Sequence, residues 1–287
     1  MDSNIMVGTS KSSAEQSTWP GSGDDHLHLE TSVLRRLLAR MQRTHDRRRV
    51  SVFVGPPGIG KTTAIEAFRR SNPDNVVAVK VMKRGVTGPQ ALQQLLLALR
   101  SLRNRDTGYL TSATSEVQRY LAIEIEKIGG GLTRDQRPEL FPHVTVVFDE
   151  AQRLTNGAID ALRDYSEPHY LCRGTFPIGM IFVGNNELSL QASNGGASIL
   201  DEGMADRLLY RDRLTYDDIE RADLELFIRS MGVNDDSAIT GIINVFSGNH
   251  RAQPSLRKVG DFIDELRDEA MGEPVTAATV RKVLGLD

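Results

Sequence analysis

Apolar positions recur along this chain in two rhythms, one helical and one of short unbroken runs. From Leu29 to about Arg48, Leu34, Leu37, Leu38 and Met41 follow helical spacing with Arg35, Arg36, Arg40 and Arg43 between them. The expected element is an amphipathic helix with a solvated arginine face. The triplet Arg47-Arg48-Arg49 that follows is denser in charge and leaves more room for a partner. Val50-Ser-Val-Phe-Val54, Val76 to Met82, Val144 to Phe148, Ile178 to Val183 and Leu208 to Leu214 are short and β-branched, as expected for strands, the first four buried on both faces of a parallel sheet. Between them the rhythm is helical again: Thr62 to Arg70, a helix opened by Thr87 and Pro89 with Leu92, Leu95, Leu96 and Leu99 on one stripe, Glu116 to Ile128, and Asn156 to Tyr165.

After Thr215 the strand rhythm stops. Thr215 and Asp218 have the spacing of a capping box, and helices are expected near 216–231, 236–247, 254–271 and 276–284, broken at Gly232, Gly248-Asn249 and Gly272-Glu-Pro274. Residues 1–24, rich in Ser, Gly, Thr and Asp, read as a flexible tail in which Trp19-Pro20 is the one feature suited to docking; residues 191–203 read as a loop or weak helix. The expected organisation is therefore an α/β domain over 25–214, with a five-stranded parallel sheet flanked by helices, and a small all-α lid over 215–287.

A chain of 287 residues with 39% apolar and 25% charged residues buries a sizeable core. It has no apolar run long enough for a membrane span and no secretory pattern, so a cytoplasmic protein without a membrane partner is expected. Cys172 is the sole cysteine and reads as a small semi-buried residue; the six histidines lack ligand spacing, so no metal is expected beyond nucleotide-bound Mg²⁺. Lys and Arg number 35 against 38 Asp and Glu, a formal charge of −3, which disfavours coating of nucleic acid through overall charge but allows a basic patch.

The chemistry concentrates at two strand ends. Gly55-Pro56-Pro57-Gly58-Ile59-Gly60-Lys61-Thr62-Thr63 follows the first strand at once and has the G-x-x-x-x-G-K-T spacing of a phosphate-binding loop. Its glycines let successive N–H groups converge on phosphate oxygens, the following helix aims its N-terminal dipole at the same anion, Lys61 reaches the β/γ-phosphates and the Thr62 hydroxyl takes Mg²⁺. Asp149 and Glu150 stand at the C-terminal end of the third strand, where parallel sheets bind ligands. Asp149 is expected on Mg²⁺, usually through water, and Glu150 to orient and deprotonate an attacking water. These are expected as neighbouring strand tips sharing one triphosphate. Gly184-Asn185-Asn186, after the fourth strand, is either a turn or the source of a polar contact to the γ-phosphate or the lytic water.

This order of features resembles the AAA+ ATPases, over residues 29–285. Within that superfamily, Val146-Val-Phe-Asp-Glu-Ala-Gln-Arg-Leu154 and Phe182-Val-Gly-Asn-Asn-Glu-Leu188 resemble the DNA-transposition regulators, namely the Mu B protein, TnsC and TniB; secretion-linked ATPases of the ExeA type carry a similar Asp-Glu-Ala-Gln run. The resemblance implies ATP and Mg²⁺ as cofactors, a sensor at Asn185 or Asn186, an arginine finger at Arg207 reaching into the next protomer, and a second sensor at Arg257, with Arg251 or Lys258 as alternatives. It further implies self-assembly into a ring or filament, sequence-tolerant binding of duplex DNA, and a transposase partner. Lys83, Arg84, Arg103 and Arg105 are the candidate DNA contacts, with a solvated basic loop as the other reading. The competing functions are a helicase loader of the IstB/DnaC type or a remodeller acting on protein. A small-molecule kinase fits poorly, because Asp-Glu suits water activation and the helical lid lacks clustered arginines for a second phosphate substrate.

Overall fold

Residues 29–102, 114–129, 143–166, 178–185, 208–247 and 255–286 are described by the computed structural model. The apolar runs form strands β1 (Val50–Val54), β2 (Val76–Lys80), β3 (Val144–Asp149), β4 (Ile178–Gly184) and β5 (Leu208–Arg213). All pairings are parallel and the order is β2-β3-β4-β1-β5. Strands β1, β3 and β4 are buried at every residue, whereas the edge strands β2 and β5 are partly exposed. This is why the central strands read as unbroken apolar runs and the fifth as a weaker alternation.

Side-chain alternation divides the interior between the two faces of the sheet. Val52, Val54, Val146, Phe148, Met180 and Phe182 face α3 (Gly88–Ser101), α4 (Thr114–Gly129) and α5 (Asn156–Arg163), with the Phe148 and Phe182 rings stacked at 5.5 Å. Phe53, Val147, Ile181 and Val183 belong to the opposite core, with α1 (Ser32–Asp46), α2 (Lys61–Ser71) and the C-terminal helices.

Those helices are α6 (Arg221–Ser230), α7 (Asp236–Ser247), α8 (Leu256–Ala270) and α9 (Ala277–Val283). They pack on one another and contribute Ile228, Ile242, Ile243, Val259, Ile263 and Leu266 to the core. The helix expected from 216 to 231 is interrupted: Thr215 and Asp218 cap a single 3₁₀ turn (Tyr216–Asp218), Ile219 is extended, and α6 begins afresh after Glu220. The second strand also stops at Lys80, two residues short of expectation.

Of the arginine face of α1, Arg35 and Arg43 are exposed as expected, whereas Arg36 and Arg40 are bound into the fold. Arg36 contacts Asp218 at 2.7 Å and Asp212 at 3.3 Å, and Arg40 pairs with Asp212. Asp223 of α6 is buried and accepts from the Ser32 backbone N–H at 2.7 Å, from the Ser32 hydroxyl and from the Glu220 N–H at 3.0 Å. The start of α1 is thus capped twice, by the Thr31 hydroxyl within the chain and by a carboxylate from the C-terminal helices.

Candidate nucleotide site

At the C-terminal ends of β1, β3 and β4 a cavity of about 410 Å³ opens, lined by the phosphate loop, the acidic pair and the start of α8. Gly58 and Gly60 have φ of +74° and +97°, in the left-handed region that side chains rarely adopt. At Gly58 a second constraint applies, since a Cβ there would run into the Ser255 hydroxyl. Lys61 is the first residue of α2, and its ammonium donates to the carbonyls of Gly55 at 2.8 Å and Pro56 at 2.7 Å. Burial lowers its pKa to about 8, Asp149 and Glu150 act to raise it, and Arg257 lowers it.

At the end of β3, Asp149 Oδ2 accepts from the Thr62 hydroxyl of α2 at 3.3 Å, and Asp149 Oδ1 accepts from the Glu150 N–H at 2.9 Å. Burial raises the Asp149 pKa, the Glu150 carboxylate adds to the rise, and these two hydrogen bonds oppose it. Along a strand, Asp149 and Glu150 would face opposite sides. Glu150 instead takes φ +60°, ψ +34°, which leaves the strand line and lets both carboxylates line the one cavity. A non-glycine residue held there carries strain, so the 3₁₀ turn Ala151–Arg153 that fixes it serves the site.

The acidic pair and the phosphate loop are not on neighbouring strands. Strand β4 lies between β1 and β3, bringing Gly184 and Asn185 to the cavity wall between them. Parallel sheets place a switch in strand order where a crevice can form, so this arrangement enlarges the site that the sequence implied.

Of the sequence-predicted residues, Pro57, Gly58, Gly60, Lys61, Thr62 and Thr63 line the cavity together with Asp149, Glu150, Asn185 and Arg257. Ile59 does not: its side chain is fully buried in the core, anchoring the loop. Gly55 and Pro56 meet Lys61 through their carbonyls. Lys83 and Arg84 are exposed on the turn after β2, beside Met82, which is 69% exposed. Asn186, Arg103, Arg105, Arg207, Arg251, Cys172 and the N-terminal tail with Trp19-Pro20 lie outside the described residues.

Gln152, Phe227 and Tyr216 were not singled out from sequence. Gln152 donates to Glu150 Oε2 at 2.8 Å and accepts from the Asn185 N–H at 3.2 Å, bridging β3 to β4. Phe227 of α6 supplies an aromatic wall. Tyr216 donates to the Pro57 carbonyl at 3.0 Å, and the Leu256 N–H donates to the Gly58 carbonyl at 3.0 Å, so the C-terminal helices hold the loop directly. Gln152 sits in the quoted Asp-Glu-Ala-Gln run, so its spacing from Glu150 was an available signal; Phe227 and Tyr216 had none.

The donor set suits a nucleotide triphosphate with a divalent cation: an ammonium and a helix N-terminus for the phosphates, and a hydroxyl paired with a carboxylate for a hard cation. An AAA domain family profile matches residues 42–191. No curated protein matches the chain significantly. Among solved structures, the chain is similar to the Aeropyrum pernix ORC2 protein in its ADP form, at 14% identity and TM-score 0.56 over 89% of this chain and 67% of that one. The ADPNP-ADP complexes of that protein align at 15% identity and TM-score 0.52, over 88% and 66%. Cdc6p of Pyrobaculum aerophilum aligns at 15% identity and TM-score 0.57, over 83% of this chain and 61% of that one. The chain spans about two thirds of those proteins' length or less, and at such identities the likeness is one of fold.

Proposed function

The chain belongs to the AAA domain family of P-loop ATPases, and from that premise we propose that it is an ATP-dependent DNA-binding protein that assembles on duplex DNA without sequence preference and regulates transposition. The observation that carries the ATPase reading is that Lys61 and Thr62 at the start of α2 face one cavity with Asp149 and Glu150 at the end of β3, although the strand preceding α2, β1, is separated from β3 by β4. Lys61 and the α2 N-terminus hold the β- and γ-phosphates. Glu150 orients the attacking water and takes its proton, and Asn185 contacts the γ-phosphate or that water. Thr62 and Asp149 hold Mg²⁺, which supplies charge neutralisation of the phosphate oxygens when bound. Residues 215–287 act as a lid, with Arg257 reporting on the γ-phosphate and Arg207 completing the site of an adjoining protomer.

Support for DNA as the polymer comes from the exposed Lys83-Arg84 tip and from the resemblance of the Val146–Leu154 and Phe182–Leu188 runs to transposition regulators. Phosphate contacts need charge without base-reading geometry, so a modest basic patch repeated along an oligomer suffices. The exposed Met82 beside that patch favours a second reading, a loader or remodeller whose main partner is protein.

Glu150→Gln, loaded with ATP, is expected to remain on duplex DNA as an oligomer longer than the wild type, measured by electron microscopy and fluorescence anisotropy. A variant that binds ATP yet stays monomeric and ignores DNA at low salt overturns this reading. Stimulation of hydrolysis by a protein partner and not by duplex DNA selects the second.

A further inference from the structure

The 3₁₀ turn after Glu150 carries one polar side chain that is nearly closed off from solvent and touches both the acidic pair and the next strand. Gln152 is 9% exposed, and its amide spans from the end of β3 to the end of β4 at the wall of the nucleotide cavity. The Asn185 N–H donates to Gln152 Oε1 at 3.2 Å, and Gln152 Nε2 donates to Glu150 Oε2 at 2.8 Å. These two partners fix which way the amide points. A backbone N–H only donates and an ionised carboxylate only accepts, so the carbonyl must face β4 and the NH₂ must face Glu150. Turning the amide over would set donor against donor and acceptor against acceptor, at the full cost of buried unsatisfied groups.

Glu150 needs such a partner. Its side chain is long and 35% exposed, so packing alone does not hold the carboxylate in one place. Arg153 lies 3.4 Å from the same oxygen, Oε2, but its guanidinium also donates to the carbonyls of Val81 at 3.1 Å and Met82 at 2.9 Å and is 31% exposed, so solvent screens that contact. Among the described residues, both side-chain contacts to the Glu150 carboxylate reach Oε2, which leaves Oε1 for a water. A general base must stand within hydrogen-bond reach of the proton it takes, and a misplacement of about 1 Å costs roughly a hundredfold in rate.

We infer that Gln152 is a positioning residue for hydrolysis: it ties Glu150 Oε2 to the β4 backbone at Asn185, so that Oε1 is presented to the attacking water as the proton acceptor. In that step the water O–H bond breaks and its proton goes to Oε1. The water oxygen bonds to the γ-phosphorus, and the bond from that phosphorus to the β,γ-bridging oxygen breaks, leaving ADP and phosphate. The inference rests on the reading of Glu150 as the base and adds to it the residue that aims that base.

The test compares the full-length wild type with Gln152→Leu, Gln152→Glu and Glu150→Gln in steady-state hydrolysis with Mg²⁺ and duplex DNA present. The readouts are kcat, KM for ATP and the pH dependence of kcat, with thermal unfolding as the control for folding. Gln152→Leu, close in volume, is expected to lower kcat by about ten- to a hundredfold with KM changed by less than about threefold. Gln152→Glu still accepts from the Asn185 N–H but sets a second carboxylate against Glu150, so the acid limb of its kcat profile is expected to move up by about one pH unit. A side chain that served only the fold would lower the unfolding midpoint and leave that limb in place. If Glu150→Gln is inactive while both Gln152 variants keep the wild-type kcat, or lower it with an unshifted acid limb, this inference is overturned and the reading of Glu150 stands. If the wild type hydrolyses no ATP, or Glu150→Gln hydrolyses it as fast as the wild type, the reading of Glu150 fails and this inference fails with it.

Discussion

The Thr62 hydroxyl and Asp149 Oδ2 meet at 3.3 Å across two strands that do not touch, β4 lying between them. One comes from the start of a helix and the other from a strand end, and their meeting fixes where a hard cation would sit relative to the phosphate loop. Each offers an oxygen, and the carboxylate is already under strain from burial. A cation there supplies the counter-charge that burial makes the carboxylate lack.

Thr62→Ala and Asp149→Asn are therefore expected to lower Mg²⁺-dependent ATP hydrolysis by about a hundredfold, as loss of charge stabilisation at a phosphoryl-transfer site does. Unfolding midpoints should move little for Thr62→Ala, since Thr62 is exposed. Magnesium titrations of hydrolysis rate alongside thermal melts check both halves of the expectation.

Lys61 supplies a pH dependence. With its pKa lowered to about 8 by burial, the free site loses its positive charge as pH rises through 8, whereas a bound triphosphate holds the proton on and raises that value. ATP binding then takes up a proton above pH 8, and affinity is expected to fall by up to about tenfold per pH unit there and to be flat between pH 6.5 and 7.5. Calorimetric titration in buffers of different ionisation enthalpy measures the proton directly. A Kd that stays constant from pH 7 to 9.5 contradicts it.

Gly58→Ala faces both an unfavourable φ and a collision with Ser255. The loop must shift away from α8, breaking the Leu256 to Gly58 hydrogen bond. Nucleotide affinity should drop by at least about tenfold, corresponding to roughly 1.4 kcal/mol, while the sheet remains folded by far-UV circular dichroism.

Asp223→Ala removes a buried carboxylate that satisfies the Ser32 and Glu220 N–H groups. A loss of about 2–3 kcal/mol in unfolding free energy is expected, the range for hydrogen bonds to a charged acceptor, read from urea denaturation. An exposed-charge control, Asp236→Ala, should stay within about 0.5 kcal/mol.

The His143 ring lies against that of His45 at 4.4 Å, tilted by 36°, at the opposite end of β3, and its Nε2 is buried without a hydrogen-bond partner. Burial, then the neighbouring His45 and Arg48, lower its pKa from 6.5 to about 4. The folded state therefore refuses a proton that the unfolded state accepts below 6.5, and stability should decline as pH falls from 6.5 towards 4. The slope stays below the ~1.4 kcal/mol per pH unit of a fully sheltered group, because the ring is partly screened by solvent. His143→Gln should flatten that decline in melts recorded from pH 7 to pH 4.

The central strands were legible because burial on both faces demands apolar side chains throughout, which is why Val50–Val54 and Ile178–Val183 stand out. The phosphate loop was legible because three glycines, a lysine and a threonine at fixed spacing express a local backbone requirement. The segment after Thr215 misled: a capping-box spacing is satisfied equally by one 3₁₀ turn and by a long helix, and only the packing of Tyr216 on Pro57 and of Asp223 on Ser32 selects the break at Ile219. Arg36 and Arg40 misled for the same reason, since their partners Asp212 and Asp218 lie more than 170 residues away in sequence.

By itself the amino-acid order determined everything that depends on near neighbours: which runs become strands, where an anion can be cradled by backbone, and which carboxylates stand at a strand tip. What joins those parts was decided by tertiary structure alone. The insertion of β4 between β1 and β3, the Gln152 bridge to Asn185 and the bonds from Tyr216 and Leu256 to the phosphate loop all arise from contacts between distant segments. Local torsional preferences and side-chain alternation act over a few residues and can be read along the chain. Pairing order and the direction of a polar side chain depend on which distant surfaces bury one another, and no spacing along a single chain encodes that.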